Sequence, residues 1–188
     1  MPFRRVPGFV AALLLTTIAV AACVAGPSGN PHPPQPAKAV DLERYAGLWY
    51  EAARYDMRFE KGCDGVTAQY SKRPDGLIRV VNTCHKDGPT GPVKVSEGKA
   101  KVADPAASGK PGAKLKVSFF GPFFVGDYWV LDHADDYSWS IVGEGSGRYL
   151  WLLTRKPPTP AVLADLTARA KAMGYDVSML RVTKQAAR

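Results

Sequence analysis

The sequence predicts an all-β domain with one helix: an eight-stranded antiparallel up-and-down β-barrel, a C-terminal helix packed outside it and a short final strand. Three observations carry this. About eight strand-like runs follow one another from Leu42 onward, several alternating apolar and polar residues as a sheet with one dry face does. A single stretch, near the C-terminus, has helical spacing. Eight consecutive antiparallel strands must pack as two sheets or close on themselves, and closure removes the exposed edges. The length of 188 residues, 46% apolar and 22% charged, fits one globular domain.

In chain order, residues 1–22 stand apart as a signal peptide. Arg4 and Arg5 precede an apolar run from Phe9 to Ala22, too short to span a bilayer and of the length such a signal's core has. The run ends in Val20-Ala21-Ala22-Cys23, which resembles the lipobox of bacterial lipoproteins. The resemblance implies cleavage before Cys23, a diacylglyceryl group on its sulfur and acylation of the new amine; a plain signal peptide with a chance cysteine is the other reading. With Val24 rather than aspartate next, the resemblance implies sorting to the outer membrane, lipid-anchored and facing the periplasm. Residues 23–40 form the anchored linker. Pro27, Pro31, Pro33, Pro34 and Pro36 leave little to bury, so an extended tether is expected, reaching up to ~50 Å at ~3.1 Å per residue.

The domain proper is assigned to 41–184, with 185–188 a tail. Its strands are LWYEAARYDM, GVTAQYS, LIRVVNTC, VKVSEGKAKVA, AKLKVSFF, VGDYWVLDH, YSWSIVGE and YLWLLTR. RPDG at 73–76 is a turn with proline in its second position, and Gly121-Pro122 breaks the aromatic run FFGPFF. Thr159 and Pro160 open the helix, Val162, Leu163, Leu166, Ala170 and Met173 form its apolar stripe, and Gly174 ends it. YDVSMLRVT supplies the last strand.

Three blocks stop being generic. Gly47-Leu48-Trp49-Tyr50, Asp132-His133-Ala134-Asp135-Asp136-Tyr137 and Leu152-Leu153-Thr154-Arg155 occur in the order and spacing of the lipocalin motifs. The chain from about 41 to 184 resembles that family, and SEGKA, LKVSFFGPF and YLWLLTR resemble its bacterial branch. The second block departs from the pattern in lacking a leading threonine. The resemblance implies a barrel closed at one end, where Arg155 packs on Trp49. Gly47, Trp49, Asp132, Tyr137 and Arg155 are then structural motif residues. It also implies a membrane lipid role in storage, transport or maintenance.

If Trp49 and Arg155 point inward, alternation sends Glu51, Ala53, Leu153, Trp151 and Tyr149 inward too, while Leu150 and Leu152 face the helix. Tyr128, Phe119, Phe123, Phe124 and Val130 join the wall or mouth. An apolar, aromatic interior with a few polar groups suits a fatty ligand, with Glu51 or a mouth lysine orienting its head. Expected ligand-binding residues are Glu51, Ala53, Tyr128, Tyr149, Trp151 and Leu153.

Cys63 and Cys84, 21 apart, flank the 73–76 turn, and an oxidising compartment predicts their disulfide. A hairpin pairing Arg73 with Leu77 would set Cys63 opposite Asp87, so a bulge or a flanking loop must intervene. With His85 they make no familiar metal set, and no metal or cofactor is expected.

The formal charge is +8; without Arg4 and Arg5 it is 23 basic against 17 acidic residues, +6. The lysines are scattered, and this mild basicity suits an anionic membrane surface or anionic ligands and argues against nucleic acid. No nucleophile–base motif occurs, so no catalytic residue is expected. The expected function is a membrane-anchored lipocalin binding a fatty acid or lysophospholipid, with a homodimer left open. Two other classes remain: a surface module that binds a protein partner, with a filled barrel, and an enzyme, which would need a titratable pair inside where only Glu51 qualifies.

Overall fold

The computed structural model describes residues 27–103 and 111–186. The signal peptide and Cys23 lie outside the described residues. A short helix α1 (Leu42–Tyr45) precedes β1 (Gly47–Tyr55), β2 (Cys63–Lys72), β3 (Ile78–Lys86), β4 (Val93–Val102), β5 (Lys114–Ser118), β6 (Gly126–His133), β7 (Trp139–Gly143) and β8 (Leu150–Thr154). Helix α2 (Pro160–Ala172) and strand β9 (Leu180–Val182) follow. Each strand pairs antiparallel with the next, and β8 and β2 both pair with β1, closing an eight-stranded barrel with β9 bonded outside the ring.

Up-and-down connectivity puts all odd-numbered hairpin loops at one end. Residues 56–62, 87–92, 119–125 and 144–149 form the open mouth, while α1, the 73–77 turn and Arg155 lie at the other end. The 73–77 turn closes as its residues require: Arg73 N–H donates to Leu77 O, Asp75 accepts from Leu77 N–H, and Gly76 takes φ +78°.

Alternation splits the core in two. The inner cluster contains Tyr45, Trp49, Tyr70, Val80, Leu115, Val130, Val142 and Leu153; the outer one joins Ile141, Leu150 and Leu152 to Leu166 and Ala170 of α2. Helix α2 is capped by Thr159, whose hydroxyl accepts from Val162 N–H, and ends at Gly174 with φ +89°. Leu163, Leu166, Ala170 and Met173 face the barrel, but Val162 is exposed: the buried stripe begins one residue later than its apolar pattern.

The wall has a seam. β1 and β2 pair only over Gly47–Tyr50, then diverge, and the C-terminal segment fills the gap. β9 pairs with Ala53–Tyr55, Gly65 N–H donates to Lys184 O, and the Gln185 amide donates to both Glu51 O and Val66 O. Residues 184–185 are therefore part of the wall.

The linker also differs from expectation. Residues 28–40 lie along the wall rather than hanging as a free spacer. Gly29 N–H donates to Gly147 O, Ala37 N–H to Leu131 O, and the buried Asn30 amide to Met173 O. Val40 enters the inner core. Proline content limits burial of side chains, but the backbone groups between the prolines still find partners.

Candidate functional site

The floor of the barrel is built around Trp49, fully buried on β1. The Arg155 guanidinium carbon lies 3.9 Å from the centroid of its indole ring, within cation–π range. The arginine's donors diverge to three carbonyls, Arg44 O at 2.6 Å, Leu48 O at 3.1 Å and Tyr137 O at 3.3 Å, so its charge is satisfied while it ties α1, β1 and the 134–138 loop together. Gly47 takes φ +98°, a conformation that favours glycine, and a Cβ there would stand 3.2 Å from Arg155 Nη1 and press on the guanidinium. Tyr137 stacks on His133 and beneath Arg44, and its hydroxyl accepts from Asp41 N–H. The Asp132 carboxylate accepts from His133 N–H and lies 3.7 Å from Lys38 Nζ.

Above the floor the lumen is aromatic. The hydroxyls of Tyr45, Tyr70 and Tyr128 are linked at 2.9 Å each, with Ser140 completing the chain. Burial pushes the Tyr45 phenol up to about 12, and those of Tyr70 and Tyr128 upward as well, so all three stay neutral. Toward the mouth, Tyr128, Trp151 and Tyr149 form a run of stacked rings that Phe59 extends. Leu153 sits deep at 4% exposure, Trp151 is half-buried, and Tyr149 reaches the rim at 37%. Val117, Phe119, Tyr128 and Trp151 pack into the inner cluster yet keep partial solvent access, as do Asn82 and Ser96 on the same face of β3 and β4. Of the other aromatics, Phe123 stands on the rim and Phe124 lies outside the wall between Lys99 and Lys101.

Ala53 requires correction. It packs in the outer cluster with Leu152, under α2, and does not line the lumen. The cause is a β-bulge: Glu51 pairs with Leu153 but Ala53 with Leu152, so one extra residue inverts the alternation. The inversion turns Arg54 toward Glu51. Fully buried, Arg54 meets the Glu51 carboxylate through Nη1, approaches Glu60 Oε2 to 3.3 Å through Nε, and donates to the carbonyls of Glu60 and Cys63. Thr183 also donates to Glu51, and Trp151 Nε1 donates to Glu60. The Glu51 carboxylate is thus taken up inside the wall rather than offered to a ligand head. Arg54, Glu60 and Thr183 were not legible as a cluster, since the bulge and a 3₁₀ turn (Arg58–Glu60) bring them together.

Two carboxyls share one arginine here. Burial, and next the nearby Glu51 charge, raise the Glu60 carboxyl from 4.5 to about 8, with Arg54 opposing. Burial likewise pushes Glu51 upward. The folded state therefore holds a proton that the unfolded chain releases, and its stabilising contribution is complete below about pH 4.5 and lost as pH rises to about 8. Urea midpoints are expected to fall between pH 5 and 8, and Glu60→Gln is expected to flatten that slope; an unchanged slope in the variant would remove Glu60 from the account.

Cys63 and Cys84 are disulfide-bonded, with Cα atoms 5.3 Å apart. The register explains how. The pairing Lys72↔Ile78 continues to Thr67↔Thr83, then slips by one residue, so Cys63 lies opposite Lys86 rather than Asp87 and reaches Cys84 diagonally. Replacing both cysteines by alanine is expected to cost about 3 kcal/mol in urea unfolding, from the closed loop of this length. Among the described residues no cluster suited to a metal ion occurs.

The fold and the Trp49–Arg155 floor define a class: eight-stranded barrels of a size that admits one small ligand. The lipocalin-like domain family matches residues 40–185, and the chain belongs to the lipocalin family. It is 40% identical over 171 residues to outer membrane lipoprotein Blc of Escherichia coli K12, covering 88% of this chain and 93% of that one. It is 39% identical over 157 residues to temperature-induced lipocalin-1 of Arabidopsis thaliana, covering 79% and 81%. Insecticyanin of the tobacco hornworm Manduca sexta superposes with a TM-score of 0.64 at 21% identity, over 84% of this chain and 88% of that one, a likeness of fold.

Proposed function

We propose that this chain is a lipid-anchored lipocalin of the outer membrane, facing the periplasm, that holds a fatty acid or lysophospholipid in its barrel for lipid storage, transport or envelope maintenance. Cys23 carries the anchor. The observation that supports the reading most directly is the aromatic lining toward the mouth, which is only partly buried. Tyr45, Trp49 and Leu115 are buried inside the barrel, whereas Phe119, Tyr128 and Trp151, packed against the same inner cluster toward the mouth, still meet solvent, as Leu42 and Ile78 do at the floor. The acyl chain lies on these rings, its burial contributing about 25 cal/mol per Å² before association costs. Leu153 meets the deep end of the chain and Tyr149 the shallow end. The named Blc relatives, outer membrane lipoproteins, support the location. We read the protein as a binder, with Glu51 and Glu60 held by Arg54 rather than offered for catalysis.

Native mass spectrometry of delipidated protein incubated with palmitate or lysophosphatidylethanolamine tests this. One acyl ligand per chain is expected, and Trp151→Ala should weaken its retention. Retention of neither lipid would favour the partner-binding alternative. Intact mass of the membrane-extracted protein tests the anchor at Cys23.

A further inference from the structure

Among the described residues, the most exposed large apolar side chains lie toward the mouth, while Leu48, Val102 and Val162 are exposed elsewhere. Phe120 is 86% exposed, Val125 79% and Phe123 71%, all on the 119–125 loop of the mouth. Phe59 on the 56–62 loop and Val93 beside the 87–92 loop are 59% and 60% exposed on the same rim. Side chains of this size in water cost free energy at each position, and a contiguous group of them marks a surface that something covers. The charge around them has a sign. Arg58, Lys61 and Arg148 are exposed on these loops and Lys94 at the mouth end of β4, against exposed Asp56 and Asp87.

The path of the N-terminal segment supplies the third fact. Ser28 and Gly29 are fixed to Ser146 and Gly147, on the mouth loop between β7 and β8. The segment then runs down the wall to Val40 in the core. Cys23 is five residues before Ser28, so it stands within ~18 Å of extended chain from the rim.

Resting on the proposed anchor at Cys23, we infer that the mouth docks directly on an anionic lipid bilayer, with Phe120, Phe123 and Val125 entering the interface and the surrounding arginines and lysines lying over the head groups. Aromatic and aliphatic side chains enter the head-group boundary, and basic residues beside them add attraction to anionic lipid. The lumen then opens onto the membrane, so a lipid passes between bilayer and barrel without its chain crossing water.

The acylated protein in phosphatidylglycerol–phosphatidylethanolamine vesicles containing brominated lipid provides the test. An environment-sensitive fluorophore is placed at Phe123→Cys, and for comparison at Val162→Cys on the opposite end of the barrel. Quenching by bromine is expected at 123 and absent at 162. The double variant Phe120→Ser/Phe123→Ser, which touches neither core, should stay anchored and take up a vesicle-borne fluorescent fatty acid about tenfold more slowly. No quenching at 123, or equal quenching at 162, would overturn the inference. So would a blue shift at 123 without bromine quenching in a protein that sediments as a dimer, which would place a second copy on the rim. Quenching at 123 in a protein that takes up no lipid would uphold the docking and count against the cargo.

Discussion

Arg54→Leu is expected to destabilise the protein by about 3–5 kcal/mol at pH 8, because it strips the cation from two buried carboxyls. Glu51 is 2% exposed and Glu60 is raised to about 8 even with the arginine present, so neither group has another positive partner at comparable range except Arg181. The loss should appear as a fall in melting temperature of roughly 10 °C for a domain of this size. Its pH dependence identifies the cause. As the carboxyls take up protons below about pH 8 the penalty should shrink, and adding Glu51→Gln should recover part of it at pH 8. A loss that is the same at pH 5 and pH 8 would mean that Arg54 matters for packing alone.

The second large effect belongs to the floor. Trp49→Ala is expected to cost about 3–5 kcal/mol, the range for truncating a fully buried large aromatic. It also removes the ring on which Arg155 rests, and the arginine then keeps its three carbonyls but loses its apolar support. Trp49→Phe retains an aromatic face and should cost about half as much. Calorimetric melting of both variants checks the order; equal losses would show that the indole Nε1–H donated to Tyr45 O, rather than the face, is what counts. Arg155→Lys separates the remaining part, because a lysine can neither stack flat nor diverge to three acceptors.

How much of this was written in the chain can be judged residue by residue. The strands, the 73–76 turn, the capped helix and the Trp49–Arg155 pair announce themselves through side chains whose chemistry has few other uses. Bulges do not. Ala52 and Ala53 are identical in composition, and only the pairing with β8 shows that one of them is extra, so the inward register fails after Glu51 and Arg54 goes unnoticed. Helix α1 is four residues long, too short for any periodicity. Proline content correctly limits what the 27–40 segment can bury, yet says nothing of the backbone donors at Gly29 and Ala37 that bind it to the wall. In FFGPFF the Gly121-Pro122 break marks a connection and the phenylalanines belong to wall or mouth, but composition cannot tell a loop tip from a wall.

The seam between β1 and β2 bears on how the molecule comes into being. Gln185 hydrogen-bonds to Glu51, 134 positions earlier, and Thr183 N–H to Ala52 O. A polypeptide made from its amino end therefore completes the outer edge of β1 only when residues 180–185 have been made. Until those arrive, an unpaired edge and a half-built ionic cluster face water, and assembly is governed by contacts of the longest range. Nascent or prematurely terminated chains should remain pliable and open, a condition compatible with passage through a narrow conduit before the wall is shut.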